Sequence, residues 1–279
     1  MSKNNLSIAF FGTPELTTTI LNEMVSSGYV PQVVVTMPDR KVGRKQILTA
    51  PAAKVWALAH NIPVLQPEKL DHAFLAEFKR YEVNTCIVVA YGKIVPQALL
   101  DMPEFGMYNV HYSLLPELRG ATPVESAILL GKETTGVTIQ KMAFKLDAGD
   151  IVLQKEIKIG KDEKAIELRT RLNEDAKKMV VDTLQHIEAG SISETPQDES
   201  KATHCGKITK EDGEISLSGN AEENYRKFRA YFGWPGTYYF DENRKRVIVK
   251  QARFENGAFI VERVIPEGKK EIPFSQLSK

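Results

Sequence analysis

Apolar positions in the first half of the chain fall into short continuous runs separated by segments with a four-residue repeat. Leu6–Phe11 (LSIAFF) is one such run and predicts a strand buried on both faces. Thr13 and Pro14 follow as a cap and first-turn proline. Leu16, Ile20 and Met24 then recur every four residues until Gly28, which predicts a helix. Val30–Thr36 predicts a second strand, Pro51–His60 and Leu70–Lys79 predict helices, and Thr85–Val89 and Gly106–His111 predict two more buried strands. Thr122-Pro123 opens a further helix that runs through Leu130. Buried strands alternating with helices need crossover connections, so the expected fold is α/β, a doubly wound and mostly parallel sheet.

The pattern then changes. Glu163–Ala189 carries Leu172, Ala176, Met179, Val180, Thr183, Leu184 and Ile187 on one helical face, and Gly190 ends it. Residues 191–206 are polar and without period, which predicts a linker. Beyond them, Ala221–Phe232 predicts a helix, and Thr237–Phe240, Arg246–Phe254 and Ala258–Ile265 alternate as antiparallel strands do. The expected organisation is a larger domain over residues 1–190 and a small α+β or partial β-barrel domain over 207–279.

Composition narrows the class. The 279 residues are 42% hydrophobic and 26% charged, which excludes a disordered or collagen-like chain. Lys and Arg total 37 against 36 Asp and Glu, so no global field attracts DNA or another polyanion. From Gly206 onward, however, 14 basic residues face 11 acidic ones, so the tail is mildly basic. Cys86 and Cys205 are too few for a disulfide scaffold or a structural zinc site. No apolar run reaches the roughly 18–20 residues of a membrane helix, and the start is too short in apolar residues for a signal peptide. A cytoplasmic protein with no membrane partner is expected.

Candidate chemistry concentrates between Tyr108 and Asp150. Phe11-Gly12-Thr13-Pro14 follows the first strand but lacks the glycines of a dinucleotide fingerprint, and the five histidines share no metal-ligand spacing, so no metal is expected. Asn109 and His111 lie two apart at the end of an apolar strand, so their side chains share one side. The carboxyl end of such a strand is where ligands bind in open parallel sheets. Asp147 sits in Leu146-Asp147-Ala148-Gly149-Asp150, a turn between two expected strands. An amide donor, an imidazole and a carboxylate suffice for acyl transfer to an amine. A hydrogen-bonded structural cluster accounts for the same three residues equally well. A carboxylate beside the imidazole is expected to raise its pKa.

Asn109-Val110-His111, followed by Ser113-Leu114-Leu115-Pro116, Arg119-Gly120 and the Leu146–Asp150 turn, resembles the formyltransferase superfamily that uses 10-formyltetrahydrofolate. Phe11–Glu15 is similar to that family's opening turn. The resemblance extends over nearly the whole chain and is strongest to the branch that formylates methionyl-initiator tRNA. It implies that Asn109 binds the formyl oxygen, that His111 stabilises charge or carries the proton, and that Asp147 sets the imidazole's protonation. It implies further that Ala90, Tyr91, Gly92 and Ile94, with Ser113, Leu114, Leu115 and Pro116, hold the folate. The stretch Met37–Lys45, with Arg40, Arg44 and Lys45, resembles a basic loop that enters the tRNA acceptor stem. Lys207–Gly213 and Pro266–Lys270 match stretches before and within the family's C-terminal domain. From charge alone, Arg226, Arg229 and Arg246 belong to a local basic cluster of the C-terminal segment expected to contact tRNA, and Arg226 and Arg229, three apart on the expected helix, share one face.

Four departures stand out. Tyr112 fills a usually small position and is expected to narrow the site. Leu118 replaces an aromatic residue, and Glu125-Ser126 replace a Gln-Arg pair. About 40 residues after Pro235 are too few for the family's barrel, so an open or truncated one is expected. Two other functions fit parts of the sequence. A formyltransferase for an amino sugar nucleotide would share the three central residues but gives no reason for the basic loop. A non-catalytic tRNA-binding module gives no reason for the three central residues.

Overall fold

The computed structural model describes residues 6–43 and 45–277. In chain order the first elements are β1 (Ile8–Gly12), α1 (Leu16–Ser26), β2 (Val33–Val35), β3 (Arg40–Val42), β4 (Ile47–Thr49), α2 (Ala52–Ala59) and β5 (Val64–Leu65). They are followed by α3 (His72–Phe78), β6 (Thr85–Val89), α4 (Gln97–Leu100), β7 (Met107–His111), β8 (Arg119–Gly120) and α5 (Pro123–Leu129). Next come β9 (Thr134–Lys141), β10 (Ile151–Lys158), α6 (Ala165–Glu188), β11 (His204–Cys205) and α7 (Ala221–Ala230). The chain closes with β12 (Thr237–Phe240), β13 (Arg246–Glu255), β14 (Ala258–Pro266) and β15 (Ile272–Pro273). Among the described residues no helix is long and apolar enough to cross a membrane.

Seven strands form the central sheet in the order β10-β9-β7-β6-β1-β2-β5. The five from β7 to β5 are parallel, and β9 joins β7 antiparallel. Every residue of β1 and of β6 is buried, which explains why both read as unbroken apolar runs rather than as alternating ones. Where the sequence predicts a basic loop over Met37–Lys45, Arg40–Val42 (β3) pairs antiparallel with Ile47–Thr49 (β4), and Lys54 and Gln66 both bond Asp39 just before β3.

Two compact units emerge. The first contains the chain through Arg119, Gly136–Lys155 and Arg171–Ala202. Its core packs Phe11, Val33, Cys86 and Val88 of the strands against Phe74, Phe78 and Leu99. The Phe11 ring lies 5.6 Å from Phe78 and 5.3 Å, edge on, from Tyr91.

The second unit gathers Gly120–Thr135, Glu156–Thr170 and the chain from Thr203 onward. Here β12-β13-β14-β15 form an antiparallel sheet of four strands. Tyr225 and Phe228 of α7 pack on Val247, Val249 and Val264 of that sheet. Asn220 caps α7 by accepting the Glu223 N–H at 3.0 Å, and acidic residues in its first turn and basic ones in its last suit the helix dipole.

Phe11 is fully buried and contacts two aromatic rings, so Phe11→Ala is expected to lower the unfolding free energy by about 3–5 kcal/mol. Urea denaturation checks this, and a loss below about 1 kcal/mol would place the ring outside the load of the core.

Candidate active site

The sheet's strand order reverses between β1 and β6, because β2 and β5 extend from one side and β7 from the other. The crevice above such a reversal is the natural ligand position of this architecture. Gly12 ends β1 there. A Cβ at Gly12 would stand 2.6 Å from the Phe10 ring and 3.1 Å from the Val89 carbonyl oxygen, so the strands approach too closely for a side chain.

Asn109 lies in β7 between Val88 of β6 and Gln140 of β9. It is half-buried, and among the described residues its side-chain amide has no hydrogen-bond partner. His111, two residues on, is buried. Its Nε2 stands 2.9 Å from the Leu118 carbonyl oxygen, and its Nδ1 stands 3.7 Å from Oδ2 of Asp147. A carbonyl can only accept, so Nε2 carries the hydrogen and the neutral ring keeps its lone pair on Nδ1, toward Asp147. The spacing of 3.7 Å is too long for a direct hydrogen bond. It leaves Nδ1 and the carboxylate able to share a third group.

The structure reverses the expected sign of the histidine's pKa. Burial, which disfavours the charged ring, outweighs both the Asp147 carboxylate and the Leu118 carbonyl, so the His111 pKa lies below the ordinary value.

Asp147 is placed by its neighbours. Its backbone is left-handed, with φ +51°. Gln140 Nε2 donates to Oδ1 at 2.9 Å, and Gln140 Oε1 accepts the Gly149 N–H at 3.2 Å. Gly149 has no alternative residue, since a Cβ there would fall 1.7 Å from the Lys141 carbonyl oxygen. Sequence reasoning missed Gln140. The signal was there: Thr138 and Gln140 alternate with Val137 and Ile139 along β9, which puts a polar face beside Asn109 and His111.

The other expected site residues divide. Ala90, Gly92 and Ile94 are exposed just beyond β6, and Ile94 is 79% accessible. Ala90 and Leu118, like Asp147, hold positive φ angles, at +45° and +59°. Left-handed backbone is costly for such side chains and clusters at functional sites. Tyr91 turns inward to the core against Phe11, and its carbonyl accepts the Thr13 hydroxyl. Ser113 is buried and donates to the Glu117 carbonyl at 2.6 Å, so its hydroxyl braces the loop. Leu114 and Pro116 are half-buried, and Leu115 is buried with its N–H on the Thr138 hydroxyl. Tyr112 does not narrow the site: its ring is buried and its hydroxyl donates to Asn173 of α6 at 2.8 Å.

The expected cationic residues are dispersed. Arg40 and Lys45 are exposed on the β3–β4 hairpin, beside exposed Val42, Ile47 and Leu48. Arg44 lies outside the described residues. In the second unit, Arg246 is exposed and stacks over the Tyr238 ring. Arg226 and Arg229 do not form the free cationic face expected of them. Arg226 pairs with Glu222, whereas Arg229 is buried against Tyr225 with Nη1 near the Gly160 and Glu163 carbonyls. Glu125 pairs with Arg169. Cys86 is fully buried, which pushes its thiol pKa up and makes it inert.

Comparison with known proteins adds the following. The formyl transferase family model matches residues 6–184, and the model of its C-terminal domain matches residues 207–272. The methionyl-tRNA formyltransferase of Halalkalibacterium halodurans is 41% identical over 234 residues, 84% of this chain and 74% of that protein. That of Bacillus subtilis is 41% identical over 232 residues, 83% of this chain and 73% of that one. Among solved structures, a 4-N formyltransferase from Francisella tularensis superposes with a TM-score of 0.70 at 18% identity, covering 89% of this chain and 98% of that one. HypX from Aquifex aeolicus in complex with tetrahydrofolic acid gives 0.65 at 16% identity, covering 96% of this chain and 46% of that one.

A histidine depressed by burial is neutral in the fold yet takes up a proton near pH 6.5 when unfolded. Its stabilising contribution is therefore complete above about pH 6.5 and is lost as the pH falls toward the folded value. By proton NMR the His111 ring is expected to titrate below about 6.5, and lower still in Asp147→Asn, which removes the larger influence opposing burial. A midpoint above 6.5 would contradict the geometry.

Proposed function

Because the chain belongs to the formyl transferase family, with both its catalytic and its C-terminal domain, we propose that Asn109, His111 and Asp147 perform its chemistry. The protein is a methionyl-tRNA formyltransferase in activity: it moves a formyl group from a folate-derived donor to the α-amino group of methionyl-initiator tRNA, for translation initiation. One observation carries the choice of acceptor, namely 41% identity to proteins of that name over 84% of this chain. Sugar formyltransferases resemble it in fold alone, at 17% identity or less.

The donor is read as 10-formyltetrahydrofolate, which supplies the formyl carbon. The residues suit it. Ala90, Gly92 and Ile94 offer exposed backbone and an apolar side chain beside the strand ends, and Leu114, Leu115 and Pro116 shape the opposite loop. The Asn109 amide, unpartnered among the described residues, has a hydrogen free to donate to the formyl oxygen as that oxygen gains charge.

The acceptor amine has a pKa near 8 and arrives partly as ammonium. Between Nδ1 of His111 and Oδ2 of Asp147 it can donate to both atoms, which are 3.7 Å apart. His111, neutral because it is buried, takes the proton released as the new C–N bond forms, and can return it to the departing nitrogen. Gln140 keeps the carboxylate turned toward that proton's path. The catalytic region is read as residues 1–190 and the tRNA-binding region as 207–279. Arg40, Arg44 and Lys45 meet the acceptor stem, and Arg246 serves as a further phosphate contact. Its place of work is the cytoplasm, with charged initiator tRNA.

The test is direct. With 10-formyltetrahydrofolate, the protein is expected to formylate methionyl-initiator tRNA and to leave an amino sugar nucleotide unchanged, and the reverse outcome overturns the reading. Affinity for tRNA is expected to fall with salt at a log–log slope of about −3 to −4. Arg40→Ala with Lys45→Ala is expected to flatten it by roughly 1.5, taking about 0.7–0.9 per phosphate contact. An unchanged slope would remove the hairpin from the interface.

A further inference from the structure

Asp147 carries its carboxylate on a left-handed backbone, with φ +51°, and something must hold that peptide in place. Gln140 holds the carboxylate and the Gly149 N–H. The carbonyls of the turn are held from elsewhere. Nε2 of Gln197 donates to the Asp147 carbonyl at 3.0 Å and to the Gly149 carbonyl at 2.6 Å, gripping the turn on both sides of Ala148.

We propose that Gln197, locked by the buried guanidinium of Arg119, is a positioning residue for Asp147. The lock is chemical as well as geometric. Oε1 of Gln197 accepts from both Nε and Nη2 of Arg119, at 3.0 and 2.7 Å. A flipped amide would set NH2 against the guanidinium and oxygen against two carbonyls, so one orientation alone is allowed. Arg119 itself has no exposed side-chain surface, and its Nη2 also donates to Oε1 of Glu199 at 2.7 Å. Oε2 of Glu199 then accepts from Nζ of Lys145 at 2.6 Å, two residues before Asp147. Arg119 and Lys145 together hold the Glu199 carboxyl down to about 2, so it stays ionised through neutral pH. The turn from Lys145 to Gly149 is therefore fastened at both ends to one short segment, Gln197–Glu199. That segment belongs to the polar stretch whose composition predicts only a linker. Its own path is fixed by the two hydrogen bonds between Thr195 and Ile151, at 2.8 and 2.9 Å.

This inference rests on the formyl transfer proposed above, but its test includes a readout that does not. Gln197→Glu keeps an acceptor for Arg119, now charged, and loses both donors to the turn. It is expected to fold, with a melting temperature lowered because a carboxylate oxygen now faces the two carbonyls, while kcat falls by about 10–100-fold and both Michaelis constants stay within about threefold, because geometry at the reacting centre is lost rather than binding. In an Asp147→Asn background the same change is expected to alter kcat by less than about twofold, since residues acting as a unit are not additive. Gln197→Met breaks the grip without adding charge, and the NMR titration of His111 is then expected to move down, as it does when the carboxylate is removed. Wild-type kcat in folded Gln197→Glu, a full additional loss in the Asp147→Asn background, or an unmoved His111 titration in Gln197→Met would each overturn the proposal. Should the wild-type protein formylate no methionyl-tRNA, the reading of its function fails, and the His111 titration still decides the role of Gln197.

Discussion

A buried imidazole has two nitrogens to satisfy, and in His111 the commitment of one determines the use of the other. Nε2–H is spent on the Leu118 carbonyl, so Nδ1 is left as a base facing Asp147. That arrangement demands that Leu118 be held with its carbonyl inward, at a φ of +59° that a leucine rarely adopts. The surrounding hydrogen bonds supply the restraint. Ser113 bonds the Glu117 carbonyl, the Thr138 hydroxyl accepts the Leu115 N–H, and Gln154 Nε2 reaches both the Leu115 carbonyl and Thr138. Thr138 and Gln154 belong to the antiparallel strands β9 and β10. The antiparallel edge thus builds the loop that orients the histidine, while the parallel centre carries the histidine itself.

The same division explains what was legible in the sequence. β1 and β6 could be read because strands buried on both faces leave continuous apolar runs. Asn109 and His111 were legible as a pair because a strand's period of two puts them on one side. The β3–β4 hairpin was not, because its charged and apolar residues are all exposed and so carry no alternation tied to a core. The direction of the histidine's pKa is not legible for a related reason: the sequence shows the carboxylate but not the burial that outweighs it. Arg229 teaches the same lesson in the second unit, where helical spacing with Arg226 suggested a shared cationic face but its side chain packs on Tyr225. Gln197 leaves no periodic trace, since its partners lie about 50 and 80 residues away along the chain.

Relatives and geometry contribute different parts of the functional account. Identity near 40% over most of the chain supports the acceptor, whereas the fold alone is shared with sugar formyltransferases. In the proposed reaction, an amide unpartnered among the described residues, a neutral imidazole and an immobilised carboxylate divide the work between the oxygen that gains charge and the nitrogen that loses a proton.

In the proposed mechanism the Asn109 amide stabilises charge as it develops on the formyl oxygen. The most direct measurement is the single-turnover rate of formyl transfer to methionyl-initiator tRNA by Asn109→Ala, with both substrates saturating. The expected result is a fall on the order of 10²–10³, the effect of losing one preorganised donor to a developing oxyanion. A rate within about threefold of the wild-type value would show that the charge is stabilised elsewhere, and would contradict the assignment.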